Sequence, residues 1–326
     1  MIAIEITPDR PIEDCIALAT AAEDAGLDAA LVSHHYNNRD QWIALSAMAT
    51  ATEAIDLGPG VANPYETHPV TLAGRMATLD EHAGGRGVFG VGAGDRSTLA
   101  NLGIDRDRPL RRVLETMQVA RDLWAGERVT HDGTFVADDA GLNFESGSIP
   151  VYVGAQGPHM TRMAGKYADG ILYNGAHPRN LAWAAERVAE GRSERDEDRD
   201  PPLLAAYASV SIDDDADRAR DAAREPVAFI TAGAPDPVLD RHGIDTDRAG
   251  EIGAAIQQGA FGTAFEAVTP AMVDAFAIAG TPATVEDRLA AFPDAVDGLV
   301  AASPLGPDPE RAISLLADAV ARSGAI

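Results

Sequence analysis

The stretch Ile149–Tyr173, IPVYVGAQGPHMTRMAGKYADGILY, decides how the rest of the chain is read. Ile149–Val153 is a short apolar run of strand type, Gly154–Pro158 a glycine-rich turn, Met160–Lys166 a helix and Gly170–Tyr173 a second apolar run. A strand, a helix and another strand in immediate succession form the unit from which parallel sheets are built.

The same rhythm extends both ways. Towards the N-terminus, strands are expected at Ile2–Ile6, Asp28–Ser33, Ile55–Val61 and Arg86–Gly92, with helices at Pro11–Ala25, Asp40–Glu53, Val70–Glu81 and Arg111–Trp124. Gly26 follows the first helix where a left-handed cap residue belongs. Towards the C-terminus, Leu181–Gly191 reads as helix, Leu203–Val210 and Gly298–Ala302 as strands, and Pro309–Ala321 as the last helix. Two stretches break the alternation. Glu127–Gly147 is polar and rich in Asp and Gly, an excursion with short strands. Asp213–Pro282 is too long for one crossover, and its spacing of Val227, Ile230, Ile252, Ile256, Met272 and Phe276 predicts extra helices. Eight strands favour a closed (β/α)8 TIM barrel over a doubly wound sheet. The expectation is one domain over 1–326, with insertions at 127–147 and 213–282, after the fourth and seventh strands. The acidic stretch Ser193–Asp200, SERDEDRD, reads as a solvated loop.

Composition narrows the function classes. Fifty-one acidic residues face 26 basic ones, a net charge of −25, and Lys166 is the lone lysine. Such a charge opposes nucleic acid, whose binding rests on phosphate neutralisation, and anionic membrane surfaces. Self-repulsion destabilises the fold in dilute buffer, whereas at ~1 M salt the screening length falls to ~3 Å. An acidic, lysine-poor chain with ordinary aliphatic content reads as halophilic. The single cysteine, Cys15, excludes an internal disulfide and points to a reducing compartment. No apolar run reaches the ~18 residues of a spanning helix, and the opening MIAIEITPDRP has no basic region, so the expected location is cytoplasmic.

In a barrel the chemistry sits at the C-terminal ends of the strands. Those ends hold Glu5, His34-His35, Gly60-Val61-Ala62-Asn63, Gly92-Ala93-Gly94-Asp95-Arg96, Gly154-Ala155-Gln156-Gly157 and Asn174. They are polar or glycine-rich while the strand bodies are apolar, which points to a ligand site. Glu5 interrupts an apolar strand, where an acid is rare unless paired or functional. Adjacent strand residues face opposite ways, so His34 and His35 do not form a metal pair, and no metal site is expected. Gly90–Gly94 is a GxGxG run without the full dinucleotide fingerprint, either a tight turn or a close backbone approach to a planar ligand. Gly154–Pro158 is a strand-to-helix turn or a phosphate cradle at a helix start. No Walker loop, zinc pattern or hydrolase elbow occurs.

Taken in order, IEITPDRPIED, HYNNR, LGPGVANPY, ATLDE, GVGAGDR, VYVGAQGP, VAFITAG, RHGID and SPLGPD resemble the coenzyme F420-dependent methylenetetrahydromethanopterin reductases, members of the bacterial-luciferase-like superfamily. The resemblance implies a barrel with a deazaflavin in its mouth, a pterin one-carbon carrier as substrate, and a homo-oligomer, dimer or tetramer. It implies a non-prolyl cis peptide at Gly60-Val61. Glu5, Asp95 and Gln156 match the catalytic and substrate-facing set. His35 and Gly60, Val61, Ala62 and Asn63 match ring contacts, and Gly154, Ala155 and Gly157 the phosphate cradle. Gly92, Gly94 and Asn174 complete the expected cofactor site. The chain departs from the family at His34, where an aspartate is usual, and in the shortness of the 127–147 excursion. In this reading a strand-buried Glu5 donates the proton that opens the substrate's methylene bridge, and Arg10, Arg39 or Arg96 binds the anionic tails. Competing readings are a flavin-mononucleotide monooxygenase of the same superfamily and a non-catalytic flavin-binding barrel.

Overall fold

The computed structural model describes residues 1–324 and divides into two units, Met1–Asn174 with Ala184–Ala205, and Gly175–Trp183 with the residues from Ala206 on. The first unit begins with β1 (Ile2–Ile6), α1 (Ile12–Asp24), β2 (Ala29–Val32), α2 (Gln41–Ala51), β3 (Asp56–Pro59), α3 (Pro69–His82) and β4 (Phe89–Val91). It continues through α4 (Arg96–Asn101), α5 (Pro109–Trp124), the antiparallel hairpin of β5 (Val129–Asp132) and β6 (Val136–Ala140), then β7 (Val151–Ala155), α6 (Pro158–Tyr167) and β8 (Gly170–Asn174).

Pairing among β1–β4, β7 and β8 is parallel. Glu5 lies opposite Leu31, Leu31 opposite Gly58, Val91 opposite Val153 and Val153 opposite Ile171. Bridges between Leu57 and Gly87 and between Ala62 and Val91 join β3 to β4. The strands therefore lie side by side in chain order, β1-β2-β3-β4-β7-β8, which is how βαβ units propagate. Ile4, Leu31, Leu57, Phe89 and Met76 are fully buried, each large side chain contributing roughly 1.5–3 kcal/mol of apolar burial. Helix α5 turns Val113, Met117, Ala120 and Trp124 inward. Trp124 packs edge-on to Phe89 with centroids 5.6 Å apart, and its Nε1 donates to Ala73 O at 3.0 Å. The Asp40 side chain accepts from Trp42 N and Ile43 N to start α2, a cap worth ~1 kcal/mol.

α7 (Pro178–Arg192) and β9 (Leu203–Ile212) each contribute residues to both units. The second unit then runs α8 (Ala216–Ala222), α9 (Arg224–Gly233), α10 (Asp236–Arg241), α11 (Thr246–Gln257), α12 (Phe261–Glu266), α13 (Pro270–Phe276), β10 (Ala277–Gly280), α14 (Pro282–Ala290), β11 (Gly298–Leu305) and α15 (Pro309–Ser323). Val227, Ile252, Met272 and Phe276 form part of its core, with Ile230 and Ile256 packed against it. The 213–282 segment carries α8–α13 and also β10, which pairs with β9 from Ala277 opposite Ser209 to Gly280 opposite Ile212. A four-residue AIAG run joined directly to a helix carries no period of its own.

Two local expectations need correcting. Helix α4 was not anticipated, because its six residues are too few to show a helical period. Ser193–Asp200 is not simply solvated. Arg195, 5% exposed at its side chain, donates to Ala168 O at 2.7 Å, and Arg199 donates to Tyr167 O at 3.0 Å. Arg121 donates to the same Tyr167 carbonyl at 2.7 Å, so three guanidiniums satisfy the last carbonyls of α6. Arg121 and Arg199 also bind Asp169. Burial alone raises the Asp169 pKa, but the Val151 amide and these arginines bring it below the ordinary value.

The β5–β6 hairpin is held to α5 by Glu115 and by Arg112, which donates to Thr134 O at 2.5 Å. Glu115, 6% exposed, accepts from Thr134 N at 2.7 Å, Thr134 Oγ1 at 2.6 Å and Arg111 Nε at 2.6 Å. Burial opposes its charge, yet these bonds lower its pKa to about 2. A depressed folded-state value stabilises the protein above the unfolded carboxylate range, and that contribution fades as pH falls towards the folded value. Glu115→Gln is therefore expected to lower Tm near neutral pH by a constant amount that shrinks between pH 4.5 and about 2. Paired thermal melts across that range check it, and a pH-independent difference would exclude the linkage.

Candidate active site

The predicted residues fall at the C-terminal ends of the strands of the first unit. Glu5, 4% exposed, is the penultimate residue of β1. Its Oε1 accepts from Thr7 Oγ1 at 2.8 Å, and Thr7 Oγ1 accepts from Ser33 Oγ at 3.4 Å. The register that pairs Ile6 with Val32 puts Thr7 beside Ser33, so the three polar side chains line up along β1 and β2.

Past β3 the chain passes through a cis peptide at Gly60-Val61, as the resemblance implied. Ala62 bridges to Val91, and Asn63, 7% exposed, organises the following turn. Its Oδ1 accepts from Tyr65 N at 3.2 Å and Glu66 N at 3.1 Å, while its Nδ2 donates to Glu66 Oε1 at 2.8 Å. The other Glu66 oxygen lies 3.1 Å from His34 Nε2. Glu66 is thus a site residue that sequence reasoning missed, since nothing in NPYETHP marks it until the turn brings it to His34.

Glycines make room for that turn. A Cβ on Gly90 would sit 1.9 Å from Pro59 O, and one on Gly92 would sit 2.6 Å from Val61 Cγ2. Gly154 lies against the same valine, 3.2 Å from its Cγ1 by the same construction. Val61 is therefore seated on a glycine floor shared by β4 and β7. Gly94 adopts φ +69°, a left-handed conformation that favours glycine, and closes on Asn63.

Asp95 is exposed and caps α4. Its Oδ1 accepts from Thr98 N at 2.8 Å, Thr98 Oγ1 at 2.8 Å and Ser97 Oγ at 2.5 Å. Partial burial pushes its pKa up, but these hydrogen bonds and nearby His35 hold it below the usual carboxylate range. Near neutral pH it is an anion and an acceptor. His35 Nδ1 lies 3.5 Å from Thr98 Oγ1, so His35 and Asp95 share this corner.

At the ends of β7 and β8, the pairing of Ala155 with Tyr173 places Gln156 beside Asn174, both exposed. Gly157 is the N-cap of α6 and makes no side-chain cap bond; Pro158 follows at the first helical position. The amides of His159 and Met160 thus have no intrahelical acceptor, and a Cβ on Gly157 would meet nothing within 4 Å. An uncapped, open helix start of this kind fits a phosphate. Of the candidate arginines, Arg10 lies 3.3 Å from Asp9 and Arg39 donates to the Asp9 carbonyl at 2.8 Å, while Arg96 opens α4. A cavity of about 810 Å³ lined by Arg121, Ile149, Pro150, Asp169 and Arg195 lies at the opposite, N-terminal ends of β7 and β8. It takes no part in this constellation. Among the described residues no three His, Cys, Asp or Glu side chains are placed to hold a metal ion, and no helix is long and apolar enough to cross a membrane.

Parallel strands in chain order, with an acid, a cis peptide and a phosphate-type helix start at their C-terminal ends, define a luciferase-like (β/α)8 protein, and residues 2–297 match that family's pattern, described as luciferase-like monooxygenase. The chain belongs to this family. Within it, the chain is 41% identical over 319 residues to the 5,10-methylenetetrahydromethanopterin reductase of Archaeoglobus fulgidus, covering 96% of each chain. It is 39% identical to the enzyme of that description from Methanopyrus kandleri, covering 97% of this chain and 96% of the relative. The solved coenzyme F420-dependent tetrahydromethanopterin reductase of M. kandleri superposes with a TM-score of 0.92 over 98% of both chains at 39% identity.

Proposed function

We propose that the chain is an oxidoreductase transferring a hydride from reduced coenzyme F420 to the methylene group of methylenetetrahydromethanopterin, giving the methyl carrier. The observation that carries this reading is the buried carboxyl of Glu5 at the ligand end of β1, in a fold shared along its length with F420-dependent reductases. F420, when bound, supplies a two-electron hydride. Gly154, Ala155 and Gly157 with the open amides of α6 would hold its phosphate, and His35 with the Gly60–Asn63 turn would flank its ring.

The substrate's methylene carbon bridges two nitrogens and accepts a hydride only after one C–N bond opens to an iminium. That opening needs a proton on the leaving nitrogen. Glu5 donates it, and Thr7, donating to Glu5 Oε1, holds the carboxyl in one orientation. The half-buried Ser33 hydroxyl, bonded to Thr7, provides a route for the proton's return. Ionised Asp95 stabilises the cationic iminium, and Gln156 positions the pterin.

The test is a spectrophotometric assay in molar KCl with reduced F420 and either methylenetetrahydromethanopterin or methylenetetrahydrofolate. Protein-dependent return of the oxidised cofactor's absorbance with one carrier supports the reading and names the carrier. No turnover with either overturns it, and oxygen uptake with reduced flavin mononucleotide would replace it with the monooxygenase.

The charge of −25 with one lysine supports placing the protein in the cytoplasm of an extreme halophile. Its Tm should then be lower by ten degrees or more, on the order of several kcal/mol, at ~0.1 M than at ~2 M KCl; equal melting temperatures would exclude salt adaptation. A homo-oligomer, dimer or tetramer, is part of the same proposal. The exposed Phe229 and Phe261 support it, as apolar surface that association would cover. Light scattering in molar KCl checks it.

A further inference from the structure

The second unit contains a basic cluster that the reductase chemistry above does not use. His177 and His242 meet edge to face with centroids 4.8 Å apart, and Phe276 backs His242 at 5.8 Å. His177 Nδ1 accepts from Arg179 N at 3.1 Å and so starts α7. Buried Asn180 fixes the rest, its Nδ2 lying 3.0 Å from His242 Nε2 and its Oδ1 accepting from Arg241 at 3.0 Å. Arg179 donates to the Arg241 carbonyl at 2.7 Å, and the Arg241 guanidinium lies over Trp183 at 5.5 Å. Arg288 donates to Asp274 O at 3.0 Å, while its Nε is enclosed and makes no hydrogen bond.

The charges around the imidazole pair are lopsided. Arg179, Arg241 and Arg288 act on His242, and Arg179 and Arg288 on His177; Asp274 opposes them at His177. The Asp274 carboxylate is itself held by Arg220 at 2.9 Å. Burial first, then the neighbouring His177 and these arginines, lower the His242 pKa to about 4; burial, Arg288 and Arg179 lower that of His177. Elsewhere in the chain acids outnumber bases about two to one, and most arginines sit on a carboxylate or a helix carbonyl. Here three guanidiniums act on one imidazole pair positioned by an asparagine, and Asp274, shared between Arg220 and Arg288, is the one carboxylate among the charges that act on the pair. Guanidiniums assembled in this way match the charge and fork geometry of a carboxylate or phosphate.

We propose that His177, Arg179, Arg241 and Arg288 form an anion-binding site for a carboxylate or phosphate group. The group can come from the acidic tail of a substrate or cofactor or from a free anion. The site itself stands on the cluster and not on the reductase reading; only assignment to a tail rests on that reading.

The test follows the imidazole resonances of His177 and His242 by NMR in the full chain while inorganic phosphate is titrated at constant ionic strength. Saturable shifts at both residues are expected. Arg179→Gln, at an exposed position, should weaken binding about tenfold, the loss of one charge-assisted bond; Arg241→Gln should do the same without changing His177 N-capping of α7. Absence of saturable shifts in the wild type overturns the proposal, as does unchanged affinity in both variants. Steady-state kinetics then separate the sources. A KM for the intact carrier raised about tenfold with kcat preserved, and no change for a carrier lacking its acidic tail, identifies a tail. Lost phosphate binding with unchanged KM for both the carrier and reduced F420 identifies a free anion, and a KM raised for F420 alone identifies the cofactor's tail. A chain with no reductase activity would sink the functional reading and leave the NMR result standing.

Discussion

Glu5→Gln lowers kcat by roughly 10²–10⁴-fold, the range for removing a positioned general acid, and leaves F420 affinity within experimental error of wild type. The amide keeps the size of the side chain and an oxygen that accepts from Thr7, so the bond at 2.8 Å survives. What it loses is the transferable proton. Because the proposed mechanism sets Glu5 against the leaving nitrogen and not against the cofactor's phosphate or ring, fluorescence titration with F420 should not change. A single-turnover measurement isolates the step: cofactor reoxidation slows while substrate KM moves little. Wild-type turnover in the variant would remove Glu5 from the mechanism and leave Asp95 as the remaining carboxylate of the predicted catalytic set. Asp95 is poorly suited to replace it, since its hydrogen bonds with Ser97 and Thr98 hold it as an anion.

Gly90→Ala destabilises the protein by about 3 kcal/mol or more, the upper end of overpacking effects, and abolishes cofactor binding. The new methyl would lie 1.9 Å from Pro59 O and 3.4 Å from Val61 Cγ1. The first is a backbone atom in β3, which a rotamer change cannot move. Relief requires shifting the end of β3 or β4, and with it the turn that presents Val61 and Asn63. Gly157→Ala is the internal control. Its methyl would meet nothing within 4 Å, so Tm should hold while F420 affinity falls through crowding at the open start of α6. A Gly90→Ala protein that melts and binds like wild type would show that the β3–β4 approach adjusts freely. A Gly157→Ala protein with unchanged affinity would remove that residue from the phosphate site.

The motifs had different legibility for physical reasons. Gly90 and Gly92 could be recognised as a close approach, but their partner could not: it is the Pro59 carbonyl and the Val61 side chain, brought over them by the neighbouring strand. Asp95 was visible as an acid at a strand end. Its second task, capping α4, was hidden because six residues of helix leave no periodic trace. His34 stood out as a departure from the family, yet the carboxylate it meets, Glu66, lies 32 positions away in the chain. Arg195 and Arg199 sat inside a run that looked wholly solvent-facing, and only the end of α6 explains them.

The sequence by itself determined the alternation of strand and helix, most element positions to within a few residues, the acidic surface and the strand ends at which polar and glycine residues collect. All of these follow from local properties: side-chain period, turn chemistry and net charge. Tertiary structure alone decided which neighbours each of those residues acquired. The Ser33–Thr7–Glu5 line, the seat of Val61 on Gly92 and Gly154, and the gathering of Arg179, Arg241 and Arg288 around two histidines all join residues that are distant in the chain. Such contacts depend on strand register and helix packing, and no local pattern encodes the far partner.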